Sequence, residues 1–461
     1  MPKSPSKHRL LLALMFSVAL VASACTNSGS DTSTTTATEI TPTVPDASTT
    51  TTEAPLTSIP PNLIPGDTSD SISPETAAAI RADIGVLLLN VEESRGLPFL
   101  TIPAVTILDS TDFTARVRSV LEDDLDQEEI DGYQALYELL GMLDGTIDLY
   151  ELFVDLYTEQ VAGFYDPDSD ELVVPVSVDG ITPFQEITIT HELTHALTDQ
   201  HFDFNDVYEQ RIDTGNGDDT YGVLGLVEGD ATYQQFLFLE SMDPADALSA
   251  VIESLGFDTT ILDNAPTWLQ KDLAFPYEHG FLFTTALVKS GGLKGIDEAY
   301  LDLPISSEQI LHPEKFTRSE QPSPIDPLTV ELNGWTLFDE ATFGEWGIRL
   351  LLLDSLPPGQ VTQAAAGWGN DTYRVFIKGE DTAIAWVYSG ETVSDAEDLA
   401  DGLIAHIRSA MDAGSSLESG GGLLFDTGST YVFIDRVDSQ IFFVASTSQS
   451  AGADLRTQLN L

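Results

Sequence analysis

Apolar positions along the chain follow three different rhythms. From residue 26 to 72 they are sparse and without period: "SDTSTTTATEITPTVPDASTTTTEAPLTSIPPNLIPGDTSD" is mostly Thr, Ser, Pro and Asp. Too little apolar surface is available there to offset the entropy of ordering, so the stretch predicts a disordered tether. From Ser73 the period turns helical, with "SPETAAAIRADIGVLLLNVEESRGL" opening on a Ser-Pro-Glu helix start. Further helices are predicted in "DQEEIDGYQALYELLGMLDG" and "DLYELFVDLYTEQVAGF". Then "GFYDPDSDELVVPVSV" reads as two short strands around an Asp-Pro-Asp-Ser-Asp turn. "TPFQEITITHELTHALTDQHF" is helical again, and "TYGVLGLVEGDATYQQFLFLESM" predicts a long helix that is apolar all round and therefore buried.

Past residue 357 the rhythm changes once more. "TYRVFIKGEDTAIAWVYSG" and "GGLLFDTGSTYVFIDRVDSQIFFVAST" predict strands, with a helix in "VSDAEDLADGLIAHIRSAMDAG" between them. The pattern predicts an α+β fold: a mostly helical domain with a small sheet over residues 73–356, then a small α+β domain over residues 357–461. Trp368 and Trp386 of the latter are expected in its core rather than at a sugar-stacking surface.

Composition narrows the partners. The chain has 461 residues, 42% of them hydrophobic, enough for more than one core. Lys+Arg number 19 against 75 Asp+Glu, a net charge of -56. No cationic patch is available for a phosphate backbone, so nucleic acid is excluded as a partner. A single cysteine, Cys25, excludes an intramolecular disulfide framework and a thiolate zinc site. It ends "MPKSPSKHR", "LLALMFSVALV" and "ASAC", which together resemble a bacterial lipoprotein signal. That resemblance implies a signal peptide over residues 1–24, lipidation at Cys25 and a tether over residues 25–72. The chain would then be anchored to the outer face of the cytoplasmic membrane, with plain secretion as the alternative.

Chemistry concentrates in "THELTHALTDQHFDF". In a helix, His191 and His195 lie about 40° apart on one face and about 6 Å apart along the axis, so both imidazoles can reach one ion. Glu192, about 100° round from His191, can reach water at that ion without binding the ion itself. The spacing supplies two ligands and a base; the competing reading is a pair of histidines that only pack. A catalytic zinc needs a third protein ligand. His201 is one candidate, but it requires the helix to stop near Thr198, a β-branched residue ill suited to a left-handed turn. Glu228 in "LVEGDAT" is the favoured one, because an acid on an all-apolar helix needs a cation to offset its desolvation. Glu209 is a further acid within range of the motif, and Gly229 offers a close helix approach.

"HELTHALTDQHF" followed by "LVEGDAT" resembles the gluzincin metallopeptidases. With "GFYDPDSDELVV", "FPYEHGF", "SSEQILHPEKF", "FGEWGIRLLL" and "AAGWGNDTY", residues 130 to 390 resemble a group of bacterial zincin-like lipoproteins. The resemblance implies a zincin-like fold, a Zn2+ cofactor on His191, His195 and Glu228, and a monomeric extracytoplasmic endopeptidase acting on peptides or proteins. Glu192 would be the general base, and His279 or Tyr277 would stabilise the oxyanion. Val173 and Val174 would belong to an edge strand that pairs with substrate backbone. In gluzincins an Asp four residues after the ligand glutamate orients a histidine; here that position is Thr232. The alternative function is a hydrolytically inactive binding or scaffold lipoprotein on the same fold. His312 and His406 are expected in local hydrogen bonds or the core.

Overall fold

A computed structural model of the chain describes residues 58–461 apart from 177–179, 215 and 429. The predicted signal peptide, Cys25 and most of the predicted tether lie outside the described residues. Among the described residues, no helix is long and apolar enough to cross a membrane.

The chain is α+β, as its rhythm predicts. A small sheet is built from β1 (Ala104–Leu108), β2 (Phe164–Asp166) and β3 (Glu171–Pro175), in the order β1-β3-β2. β1 runs parallel to β3, and β2 is antiparallel to it. β3 is therefore central, with its backbone engaged on both sides, and Val173 and Val174 are buried. This corrects the expectation of a substrate-pairing edge at those two valines: the edge falls on β2, a position fixed by tertiary pairing rather than by the strand's own residues.

The histidine motif sits on the helix Pro183–Phe202, hereafter the motif helix. Thr182 and Gln185 close a reciprocal capping box at its start, and Pro183 occupies the first turn. Ile189, Leu193 and Leu197 recur every four residues and bury one face against Leu172, Val174 and Ile107 of the sheet. The same core takes Ile80, Ile84, Leu88 and Val91 of the helix Pro74–Arg95. It also takes Ile59, Ile64 and Ile72, so the packed chain includes residues that composition alone assigns to the tether.

Glu228 lies on the helix Gly217–Ser241, hereafter the carboxylate helix, which is buried round most of its middle turns. Its neighbour is the helix Thr267–Gly291. A Cβ on Gly229 would stand 2.2 Å from the carbonyl oxygen of Gly280, and one on Gly280 would stand 2.3 Å from that of Gly225. Backbone meets backbone there, as the Gly229 reading requires. Two residues past Glu228, Asp230 accepts from Nε of the buried Arg95 at 2.9 Å, and Arg95 Nη2 reaches Asp297 at 2.7 Å. These pairs clamp the carboxylate helix to two neighbours through one buried guanidinium, and removing Arg95 would leave the buried Asp230 charge uncompensated.

The second sheet is antiparallel, seven strands in the order β4-β5-β6-β10-β9-β8-β7. β4 spans Thr336–Ala341, β5 Trp368–Lys378, β6 Asp381–Gly390, β7 Ser416–Ser419, β8 Gly422–Asp426, β9 Tyr431–Val437 and β10 Gln440–Ser446. It thus starts upstream of residue 357. Alternation assigns Ile384, Trp386 and Tyr388 to the face under the helix Val393–Ser409, and Ala383, Ala385 and Val387 to the face under Gln449–Gln458. Trp368 and Trp386 are buried and both donate to Asp371, at 2.7 and 2.8 Å. His406 bridges the halves, with Nε2 2.8 Å from the Leu140 carbonyl and Nδ1 2.8 Å from Ser355 Oγ.

Several acids are held above their ordinary range by burial: Asp199, Asp219 and Asp272 at about 6, and Glu308 at about 7. Each binds its proton more tightly folded than unfolded. Their contribution to stability is therefore complete below the ordinary carboxylate range and is lost as pH rises through about 6 to 7. The metal-free protein is expected to melt several degrees lower at about pH 8 than at about pH 5. The difference should persist at about 1 M salt, which screens the general repulsion of an acidic surface; a melting point flat across that range contradicts it.

Candidate metal centre

The motif helix and the carboxylate helix bring three side chains to one point. His191 Nε2 lies 3.1 Å from Glu228 Oε2, His195 Nε2 lies 3.0 Å from His191 Nε2, and His195 Nε2 lies 3.7 Å from Glu228 Oε2. All three residues are buried. Among the described residues, they form the one group of histidine and carboxylate ligands close enough to hold a metal ion.

The donor chemistry fits a cation. His191 Nδ1 lies 3.0 Å from Gln235 Oε1, an acceptor, so that nitrogen carries the ring proton and Nε2 presents a lone pair. Glu228 Oε2 presents another lone pair toward it. A proton shared between His191 Nε2 and Glu228 Oε2 joins only that pair, whereas a metal ion at the centre engages all three side chains at once. Two ligands about 2.0–2.1 Å from a tetrahedral zinc stand about 3.3–3.4 Å apart, inside the spread of the observed separations. Burial pushes Glu228 well above the carboxylate range, with Glu192 adding to the shift, and burial together with His191 pushes His195 well below the imidazole range. A divalent cation reverses both penalties.

Glu192 is fully buried beside the pair, and its Oε2 accepts the backbone N–H of Tyr165 at 3.0 Å. The outward N–H of the edge strand β2 is thereby committed to the carboxylate. Tyr277 stacks on His191, ring centroids 6.1 Å apart at 29°. His279 does not join them: it is two residues, about 200°, further round its helix and rests against Phe275 and Trp346. The motif helix runs on through Thr198 to Phe202, and His201 Nε2 meets the Pro98 carbonyl at 2.7 Å, away from the centre. Glu209 lies outside the group as well. His312 bonds Glu345 at 2.9 Å.

Gln235 is the residue that sequence reasoning missed. It stands seven residues, two turns, after Glu228 on the same face, and it orients His191 where Thr232 does not. Gln235→Ala is expected to weaken metal affinity by roughly 10–100-fold with the fold intact; competition titration against a chromophoric chelator reads this, and unchanged affinity contradicts it.

The family comparison matches the C-terminal part of the chain. Residues 335–456 match a family described as a domain of unknown function (DUF8575), which covers the second sheet and neither metal-centre helix. No curated protein matches the chain. Among solved structures, a Chloroflexus aurantiacus protein described as "a putative hydrolase with a novel fold" is similar over 55% of this chain and 93% of its own. The identity is 14% and the TM-score 0.38.

Proposed function

We propose that the chain is a zinc-dependent metallopeptidase that hydrolyses peptide bonds outside the cytoplasm. The observation that carries this reading is the convergence of His191, His195 and Glu228 with a fourth buried side chain, Glu192, positioned beside them rather than among them. Zinc, when bound, supplies Lewis acidity that acidifies water and polarises a carbonyl. His191, His195 and Glu228 hold the ion, and Gln235 fixes the tautomer of His191. Glu192, held at Oε2 by the Tyr165 N–H, takes the proton from the attacking water and delivers it to the leaving amine. Tyr277, stacked on His191, is the side chain placed to donate to the oxygen on which charge develops. The Cys25 lipid anchor and a surface location belong to the same reading and rest on the leader sequence.

The test is hydrolysis of a peptide pool by the purified chain, with and without chelator and after zinc is restored. Cleavage that disappears with the metal and returns with it is the expected result. A zinc-loaded chain that cleaves nothing overturns the peptidase and leaves the inactive scaffold.

A further inference from the structure

A cavity of about 320 Å³ reaches the site at Glu228 and Tyr277, two of its lining residues. It follows the carboxylate helix back to Gly217 and meets the helices before it and the second sheet. Its walls are aromatic: Tyr137, Tyr157, Tyr208, Tyr221 and Trp268 all line it. Besides Glu228 at the metal end, one carboxylate interrupts them. Asp272 accepts from Tyr221 Oη at 2.7 Å and from Trp346 Nε1 at 3.1 Å, and both bonds fall on Oδ1. Oδ2 makes no hydrogen bond among the described residues, and no basic side chain there pairs with it. The hydroxyls of Tyr137, Tyr157 and Tyr208, all close enough to feel the Asp272 charge, likewise have no hydrogen-bond partner among the described residues.

This combination selects among guests. An anion meets a carboxylate with no compensating cation. An apolar group would bury Oδ2 and three phenol oxygens without partners, each a desolvation loss with nothing to offset it. A cation finds a charge-assisted acceptor in Oδ2, further acceptors in the phenols, and aromatic walls. Position matters too. Tyr221 precedes Glu228 by two helical turns, about 10 Å of helix axis, and Asp272, bonded to the Tyr221 hydroxyl, lines the same cavity as Glu228.

We propose that this cavity is the specificity pocket of the metal site and takes the cationic side chain of an arginine or lysine flanking the cleaved bond, paired with Asp272. The assignment rests on the peptidase reading, which it deepens by naming the substrate class. The strongly negative chain, at -56, steers such substrates inward.

The experiment compares two peptides that differ at one position, arginine against its neutral isostere citrulline, on the zinc-loaded full chain. The parent is expected to favour arginine by roughly 100-fold or more in kcat/KM. Asp272→Asn, which keeps an acceptor for Tyr221 and Trp346, is expected to bring the ratio near unity while citrulline turnover persists, and its melting point checks the fold. A parent ratio near unity overturns the pocket and leaves the peptidase standing. If the zinc-loaded chain cleaves neither peptide, the peptidase reading falls, and calorimetric binding of the two peptides then decides the pocket. Arginine-selective binding lost in Asp272→Asn supports it; equal binding, or none, overturns it.

Discussion

Glu192→Gln is expected to keep the metal at the parent's stoichiometry and to lower peptide hydrolysis by about 10²- to 10⁴-fold, the range that positioned proton transfer contributes. The two halves of that expectation have separate physical grounds. Metal is retained because the ligand atoms belong to His191, His195 and Glu228, and Glu192 is not among them. Fold is retained because the amide is isosteric and its oxygen still accepts the Tyr165 N–H, now made at 3.0 Å to the carboxylate. Activity is lost because an amide cannot take a proton from water near neutral pH. Parallel metal analysis and turnover on the same preparation read both halves. Equal hydrolysis by variant and parent would assign the base elsewhere, and metal loss would make Glu192 a ligand.

Glu228→Ala is expected to weaken metal binding by more than the roughly 10–100-fold typical of an outer-shell change, because it removes a direct donor. His201→Ala is the matched control. Its imidazole is engaged with the Pro98 carbonyl at 2.7 Å, and its loss should leave metal affinity unchanged. A second consequence runs the other way. Without metal, Glu228 is a fully buried acid whose Oε1 has no hydrogen-bond partner among the described residues. Burial then penalises its charged form, so neutralising it as Glu228→Gln should leave the chelated protein melting no lower than the parent. The same substitution should abolish the rise in melting point that zinc gives the parent. A chelated Glu228→Gln chain that melts well below the parent would mean that the carboxylate is held by contacts of the protein alone.

What the sequence disclosed about this site was local. The His191 and His195 spacing is set by helical periodicity, which any helix imposes, and it survives intact in the fold. Glu228 was legible as an acid within the apolar run "VLGLVEGDA", and its burial there without a basic partner such as Asp230 has in Arg95 is what makes a cation necessary. The rest depends on how elements meet. Tyr277 and His279 are equivalent in composition, and the choice between them is a helical phase fixed by the backbone contact at Gly229 and Gly280. Val173 and Val174 look like any short strand until β1 and β2 take both sides of it. Ile59, Ile64 and Ile72 are too thinly spread among polar residues to announce a core, yet each finds a place against the helix Pro74–Arg95 and its sheet. Gln235 and Asp272 gain meaning only when a second helix brings His191 to one and a wall of tyrosines to the other.

The proposed chemistry depends on two helices presenting His191, His195 and Glu228 to one divalent ion. Anomalous diffraction at the zinc edge from crystals of the zinc-loaded chain tests this most directly. The expected map has one dominant peak about 2.0–2.1 Å from Nε2 of both histidines and from a Glu228 oxygen. A zinc-loaded crystal with no peak at that point, or with the peak there and Glu228 turned away from it, contradicts the account.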